Sequence, residues 1–232
     1  MLSARSLAET YALPAAAADQ LAELAELIAT DDAAPTTVRD PTAILNDHLA
    51  DSLVALTVRQ IVEARSIADL GAGGGFPGLP LAIALPSTDV FLVESVGKKC
   101  DFIQEAVNLL GLGNAQVVNA RAEEWRGGLG HLDVVTARAL APLNIVAEYA
   151  APLLKVGGTL VAWRGKREPE IEADADVAAE ILGLSVEPPL QVFPYPAAEH
   201  RFLHLLTKVS ETPPRFPRRA GMARKRPLGR AV

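Results

Sequence analysis

The residues with the most chemical content lie in one stretch, Asp69-Leu70-Gly71-Ala72-Gly73-Gly74-Gly75-Phe76-Pro77-Gly78. A short apolar run precedes it and a helical pattern follows, which is the context a nucleotide-binding turn requires. Gly71 permits a tight turn, and Gly73 and Gly75 remove side chains where a ligand must approach the backbone. Phe76 stands where a dinucleotide fingerprint needs its third glycine, for close packing of helix on strand. Glu94 ends the next apolar run, where an acid can accept hydrogen bonds from both ribose hydroxyls of a nucleoside. Arg121-Ala122-Glu123 follows a third run, and Arg138 ends a fourth. Open α/β sheets bind ligands at the carboxyl ends of their strands, so these groups should converge.

The elements that must position them alternate. Residues 67–70, 90–93, 116–118, 134–136 and 159–163 read as strands, and residues 79–85, 99–110 and 143–154 as helices between them. This rhythm predicts a parallel sheet covered on both faces. Residues 184–193 and 202–209 are two extended runs without a helix between them, which predicts a terminal antiparallel pair. Upstream, residues 14–29 and about 42–64 have helical periodicity, with Pro14 suited to a first turn. His48 and Asp51, three residues apart, share a helix face. They either support the wall of a cleft or fix helix packing. The organisation expected is a helical extension (1–64), an α/β domain (65–209) and a basic tail (210–232).

Composition narrows the class. The chain has 232 residues, half of them hydrophobic, which supports a buried core and excludes a disordered chain. Its longest apolar stretches are far short of a bilayer span. Cys100 is the single cysteine, so no internal disulfide can form, and the four histidines show no metal-ligand spacing. Cys100 reads as a small buried residue. A soluble, metal-free protein of a reducing compartment is expected. The net charge is −6, yet from residue 210 onward Arg215, Arg218, Arg219, Arg224, Lys225, Arg226 and Arg230 face only Glu211. Such a tail reads either as an extended arm that gains order on a polyanion or as a solubilising terminus.

The Gly-x-Gly-x-Gly turn after Asp69 looks like the cofactor motif of S-adenosylmethionine-dependent methyltransferases, which also end a parallel sheet in an antiparallel pair. The end of the fourth run, Thr136-Ala137-Arg138-Ala139-Leu140-Ala141-Pro142, offers neither a general base nor the Asp/Asn-Pro-Pro-aromatic sequence that holds an exocyclic amine. That favours an acceptor with a free lone pair, such as guanine N7, for which alignment suffices. Three other readings stay open: an NAD(P)-dependent reductase, an RNA-binding module with an empty site, and an N-methyltransferase of another RNA or a small molecule.

Longer matches are more specific. Thr37-Val38-Arg39-Asp40-Pro41, His48-Leu49-Ala50-Asp51-Ser52-Leu53, the glycine turn continued through Leu79-Pro80-Leu81, Glu94-Ser95-Val96-Gly97-Lys98-Lys99, Arg121-Ala122-Glu123-Glu124 and Thr136-Ala137-Arg138-Ala139 resemble the ribosomal RNA small subunit methyltransferase G family, also called glucose-inhibited division protein B. Arg215-Phe216-Pro217-Arg218-Arg219-Ala220-Gly221 is similar to its longer-tailed members. The resemblance implies an α/β, Rossmann-like methyltransferase sheet with an N-terminal helical extension. It implies S-adenosylmethionine-dependent N7 methylation of a guanine in the 530 loop of bacterial 16S rRNA, in the cytoplasm, by a monomer acting on rRNA or an assembling small subunit. By position, Gly71, Phe76, Ala122, Glu123 and Arg138 would contact the cofactor. Gly73 and Gly75 join them through backbone access, and Glu94 through its capacity to accept from ribose hydroxyls. Arg39, Lys98, Lys99, Arg215, Arg218 and Arg219 are the candidate RNA contacts.

Overall fold

The computed structural model describes residues 2–229; Met1 and residues 230–232, including the tail cation Arg230, lie outside the described residues. Five strands run parallel: β1 (Ser66–Leu70), β2 (Asp89–Glu94), β3 (Ala115–Asn119), β4 (Leu132–Arg138) and β5 (Leu154–Arg164). Three more follow: β6 (Leu184–Val186), β7 (Leu190–Gln191) and β8 (Phe202–Lys208). The sheet order is β3-β2-β1-β4-β5-β8-β6, with β7 also paired to β8. The chain steps outward one way from β1 and returns to its other side at β4. That reversal opens a crevice beyond the carboxyl ends of β1 and β4.

The antiparallel close forms as expected in kind but not in detail. β8 inserts between β5 and β6 and runs antiparallel to both. Residues 184–193 do not make one strand, because Pro188 and Pro189 cannot donate to the ladder and split the run into β6 and β7.

Helices α6 (Gly78–Ala84), α7 (Gly97–Leu109) and α8 (Leu143–Ala150) occupy the expected crossovers. A further helix, α9 (Pro169–Leu182), connects β5 to β6. It lies outside the helices expected from periodicity, although Pro169 opens it, Ile171, Ala175, Ala178, Ala179 and Leu182 have helical spacing, and Gly183 closes it at φ 78.

The N-terminal extension begins with α1 (Ala4–Thr10), capped by reciprocal Ser3–Ser6 bonds, and α2 (Ala17–Thr30). The single helix expected over residues 42–64 is instead broken. It comprises α3 (Pro41–Ala43), a π-helical turn (Ile44–Ala50), α4 (Asp51–Leu53), a 3-10 turn (Val54–Thr57) and α5 (Arg59–Val62). Ser52 and Thr57 hydroxyls bond the carbonyls of His48 and Val54, competing for helical acceptors.

Alternate strand residues feed two cores. Ile67, Leu92, Val134 and Val161 pack with the extension, α6 and α7; Ala68, Val93, Val135 and Leu160 pack with α8 and α9. The tail is not a free arm. Phe216 is buried, the short α10 (Met222–Lys225) buries Ala223 in the second core, and Arg218 makes a bidentate ion pair with Glu148 of α8. Glu148 is buried, so an acid on the domain complements the tail charge where no count along the tail could show it.

Candidate functional site

β1 runs into the glycine turn, and the turn into α6. Gly71 has φ 68, and a Cβ there would lie 2.6 Å from Leu140 Cδ1. Gly73 faces open space, with only Gly71 O within reach of an added Cβ. That suits a ligand lying against bare backbone. Gly75 does not: an added Cβ would strike Leu79 at 2.3 Å, so its role is to seat α6 rather than to admit a ligand. Close packing of helix on strand falls to Gly78, whose Cβ would meet Leu92 at 2.8 Å, two residues beyond the fingerprint position that Phe76 fills. Asp69 ties the parts together. Its carboxylate accepts from Gly78 N–H (2.9 Å) and Thr136 Oγ1–H (3.0 Å), and burial pushes its pKa up to about 7 against those bonds.

Glu94 organises the turn from the end of β2. Its Oε1 accepts from Ser95 N–H (2.7 Å), Val96 N–H (2.9 Å) and the Ser95 hydroxyl (3.3 Å), while Oε2 accepts only Gly73 N–H (3.0 Å). A carboxylate has about four lone-pair sites. One on Oε2 therefore remains for a ligand hydroxyl, a narrower capacity than both ribose hydroxyls at once. After β3 a 3-10 turn (Ala122–Glu124) presents Ala122 and Glu123. These two, with Gly71, Ser95, Leu140 and Arg224, line a cavity of about 90 Å³. Bare backbone at Gly73 and a hydroxyl acceptor on Glu94 fit the nucleoside part of S-adenosylmethionine.

Arg138, at the end of β4, turns the other way. Its Nη1 donates to Asp47 O and to Asp51 Oδ2, both at 2.8 Å, and its Nη2 lies 3.4 Å from His48 Nδ1. The guanidinium stands over Phe76 at 5.5 Å, and His48 stacks on the same ring at 4.5 Å. The side chains of His48 and Asp51 thus share Arg138 and do not bond to each other; the Asp51 N–H donates to His48 O within the turn. Burial, then the Arg138 charge, lowers the His48 pKa to about 4, so its ring is neutral near pH 7. Asp51 is buried; its Oδ1 has no hydrogen bond among the described residues, with Arg201 Nε at 3.3 Å as an ion-pair neighbour. Trp163 Nε1–H donates to Asp51 O at 2.7 Å, and Tyr195 O–H to Asp47 at 2.5 Å. Burial and that bond raise the Tyr195 pKa to about 12. The π-helical turn is thereby clamped across the ends of β4 and β5. Ala139, next after Arg138, has φ 55, a strained conformation for a residue with a Cβ.

The six proposed RNA contacts separate. Arg39 is corrected: its guanidinium donates to the carbonyls of Ile28 (2.5 Å), Asp31 (2.7 Å) and Ala34 (3.1 Å), capping the end of α2. Arg218 is corrected likewise, being held by Glu148 and by the Arg226 carbonyl. Lys98 and Lys99 open α7 just beyond Glu94, with no ion-pair partner among the described residues. Arg215 and Arg219 are exposed, Arg215 resting over the Phe216 ring at 5.1 Å.

Three further cations stand outside the candidates that the sequence supplies. Arg164, Lys166 and Arg201 join Arg138 around a second cavity, of about 320 Å³, at the ends of β4 and β5. Asp51 and Glu168 also line it, and both are in ion pairs, Glu168 with Arg164 at 2.8 Å. Ala139 lies on this cavity and Leu140 on the cofactor cavity, so the two adjoin across one strained turn. The strand-end rule that singles out Arg138 applies equally to Arg164-Gly165-Lys166 after β5.

Known proteins resemble this chain in fold and in sequence. Among solved structures, a SAM-dependent methyltransferase from Aquifex aeolicus superposes with a TM-score of 0.58 at 20% identity, over 73% of this chain and 94% of that one. The chain is 40% identical over 197 residues to a ribosomal RNA small subunit methyltransferase G of Desulfitobacterium hafniense (strain Y51), covering 83% of this chain and 81% of the relative. It is 43% identical to the protein of that name from Rubrobacter xylanophilus, covering 82% and 75%. A family model described as rRNA small subunit methyltransferase G matches residues 18–187. With the glycine turn, Glu94 and Arg138 placed at the carboxyl ends of a methyltransferase sheet, the chain belongs to the rRNA small subunit methyltransferase G family, whose cofactor is S-adenosylmethionine.

Proposed function

We propose that the protein methylates N7 of a guanine in the 530 loop of bacterial 16S rRNA. The supporting observation is the cation-lined cavity at the ends of β4 and β5, adjoining the cofactor cavity across Ala139. Its volume of about 320 Å³ lies in the range of small-molecule sites, roughly 300–1,000 Å³. A base extruded from RNA is a ligand of that class. Arg138, Arg164, Lys166 and Arg201 suit a phosphate-bearing substrate, and Lys166 is exposed at the rim.

The bound cofactor supplies an electrophilic methyl group. The protein's own task is then orientation. Guanine N7 carries no proton, so no base has to remove one. The two carboxylates of the cavity are engaged in ion pairs and are poor candidates for proton abstraction. Arg138 keeps Nε–H and part of Nη2 for guanine O6, the edge that arginine commonly recognises. Gly71, Gly73, Phe76, Glu94, Ala122 and Glu123 serve the cofactor side; Lys98, Lys99, Arg215 and Arg219 serve the RNA backbone. In this reading the enzyme works as a monomer in the cytoplasm, on rRNA or an assembling subunit. No described helix is long and apolar enough to cross a membrane.

Mass mapping of modified guanines in 16S rRNA, from cells with and without the protein, tests the proposal. A single 7-methylguanosine in the 530 loop should vanish with the protein. Loss of a different modification, or none, refutes it.

A further inference from the structure

The tail beyond Thr212 reaches the cofactor cavity itself. Two anchors hold it on α8: the Arg218–Glu148 ion pair, and Asn144 Nδ2–H donating to Leu228 O at 2.6 Å. Buried Phe216 packs in the same core as α8. Between these anchors the chain bonds to the site. Gly221 N–H donates to Glu123 Oε1 at 2.9 Å, on the turn after β3. Arg224 Nη2–H donates to Leu140 O at 2.9 Å, just past β4. The sheet order is β3-β2-β1-β4. A segment tied beyond both β3 and β4 must span the ends of β2 and β1, where Glu94 and Gly71 stand. Arg224 accordingly lines the cavity together with Gly71, Ala122 and Glu123.

We propose that the C-terminal segment is the outer wall of the S-adenosylmethionine site, that Arg224 is a cofactor-binding residue, and that cofactor exchange requires the segment to lift. The cavity under it measures about 90 Å³, well below the roughly 300–1,000 Å³ of small-molecule sites. The space between the segment and the ends of the strands is therefore too small, as the segment lies, to take an adenosyl group whole. The segment over the cavity is held by side chains and hydrogen bonds, not by the sheet, and Arg224 is exposed and able to swing. A planar guanidinium facing the cavity is suited to stacking on a purine. Glu123 takes part in both roles, as a cavity residue and as the acceptor that latches Gly221.

Stopped-flow binding of S-adenosylhomocysteine to the full chain tests this. Arg224→Ala removes one latch and one side chain of the cavity wall from an exposed position, leaving the Arg218–Glu148 anchor intact. Its dissociation rate should rise at least about tenfold, the value of a missing hydrogen bond from a charged donor, with an unchanged melting temperature in the absence of ligand. In the wild type, hydrogen exchange of residues 219–226 should slow on saturation with S-adenosylhomocysteine. A dissociation rate indistinguishable from wild type, or exchange of 219–226 that ignores the ligand, overturns the proposal.

Discussion

Replacing Glu94 by glutamine changes one atom and tests the cofactor site. Two backbone N–H groups, of Ser95 and Val96, bind Oε1, and one, of Gly73, binds Oε2. The glutamine oxygen stays where it satisfies two backbone donors. Its NH2 then takes the Oε2 position, about 3.0 Å from Gly73 N–H, and sets donor against donor. The Gly73 amide loses its acceptor, and the acceptor site left for a ligand hydroxyl disappears with it. A ligand hydroxyl left without its acceptor costs about 1–3 kcal/mol. That loss by itself predicts S-adenosylmethionine binding weaker by roughly 5- to 150-fold, since the Gly73 donor is unpaired with or without ligand. Titration calorimetry reads the affinity, with NADH as a ligand that should not bind either protein. Ser95→Ala removes the 3.3 Å hydroxyl bond and leaves both backbone donors on Oε1, so it should weaken binding less than Glu94→Gln does. If Glu94→Gln binds S-adenosylmethionine as tightly as the wild type, the carboxylate does not organise this turn.

Asp69 has a folded pKa near 7 against an ordinary 3.8, so its contribution to stability is complete below about pH 4 and is lost as pH rises through 7, by at most about 4 kcal/mol. Urea denaturation from pH 5 to 8 should therefore show the wild type losing stability relative to Asp69→Asn; a pH-independent difference would count against it. Arg218→Ala leaves buried Glu148 without its partner and should cost about 3–5 kcal/mol, largely recovered by adding Glu148→Gln; an undiminished melting temperature in the single variant would show that the tail is not anchored there. Lys98→Glu with Lys99→Glu should reduce the log–log salt slope of rRNA binding by roughly 0.7–0.9 for each phosphate no longer neutralised, while calorimetry finds S-adenosylmethionine affinity intact; an unchanged slope removes both lysines from the interface.

Much of the scaffold is local in origin and so was legible. Short β-branched runs separated by helical periods specify β1 to β5 and α6 to α8, because side-chain alternation is written residue by residue. The glycine turn was legible for the same reason. Gly71 must accept φ 68, and that demand acts on one residue. Glu94 followed from its place at a strand end. Helix α9 was equally local and could have been read, since Pro169 and Gly183 bracket it.

Local pattern therefore specifies the parallel sheet, the turn and the charged residues at the strand ends. The tertiary structure alone decided which of those groups are free. Arg39 and Arg218 look like any other surface cation along the chain, yet one caps α2 and the other neutralises a buried acid 70 positions away. Gly75 reads as ligand space until Leu79 is seen against it. Arg138 meets Asp51 across 87 residues, and Gly221 meets Glu123 across 98. Hydrogen bonds and ion pairs between distant segments depend on where packing leaves two side chains. A one-dimensional pattern carries propensity and periodicity, but it does not state that address.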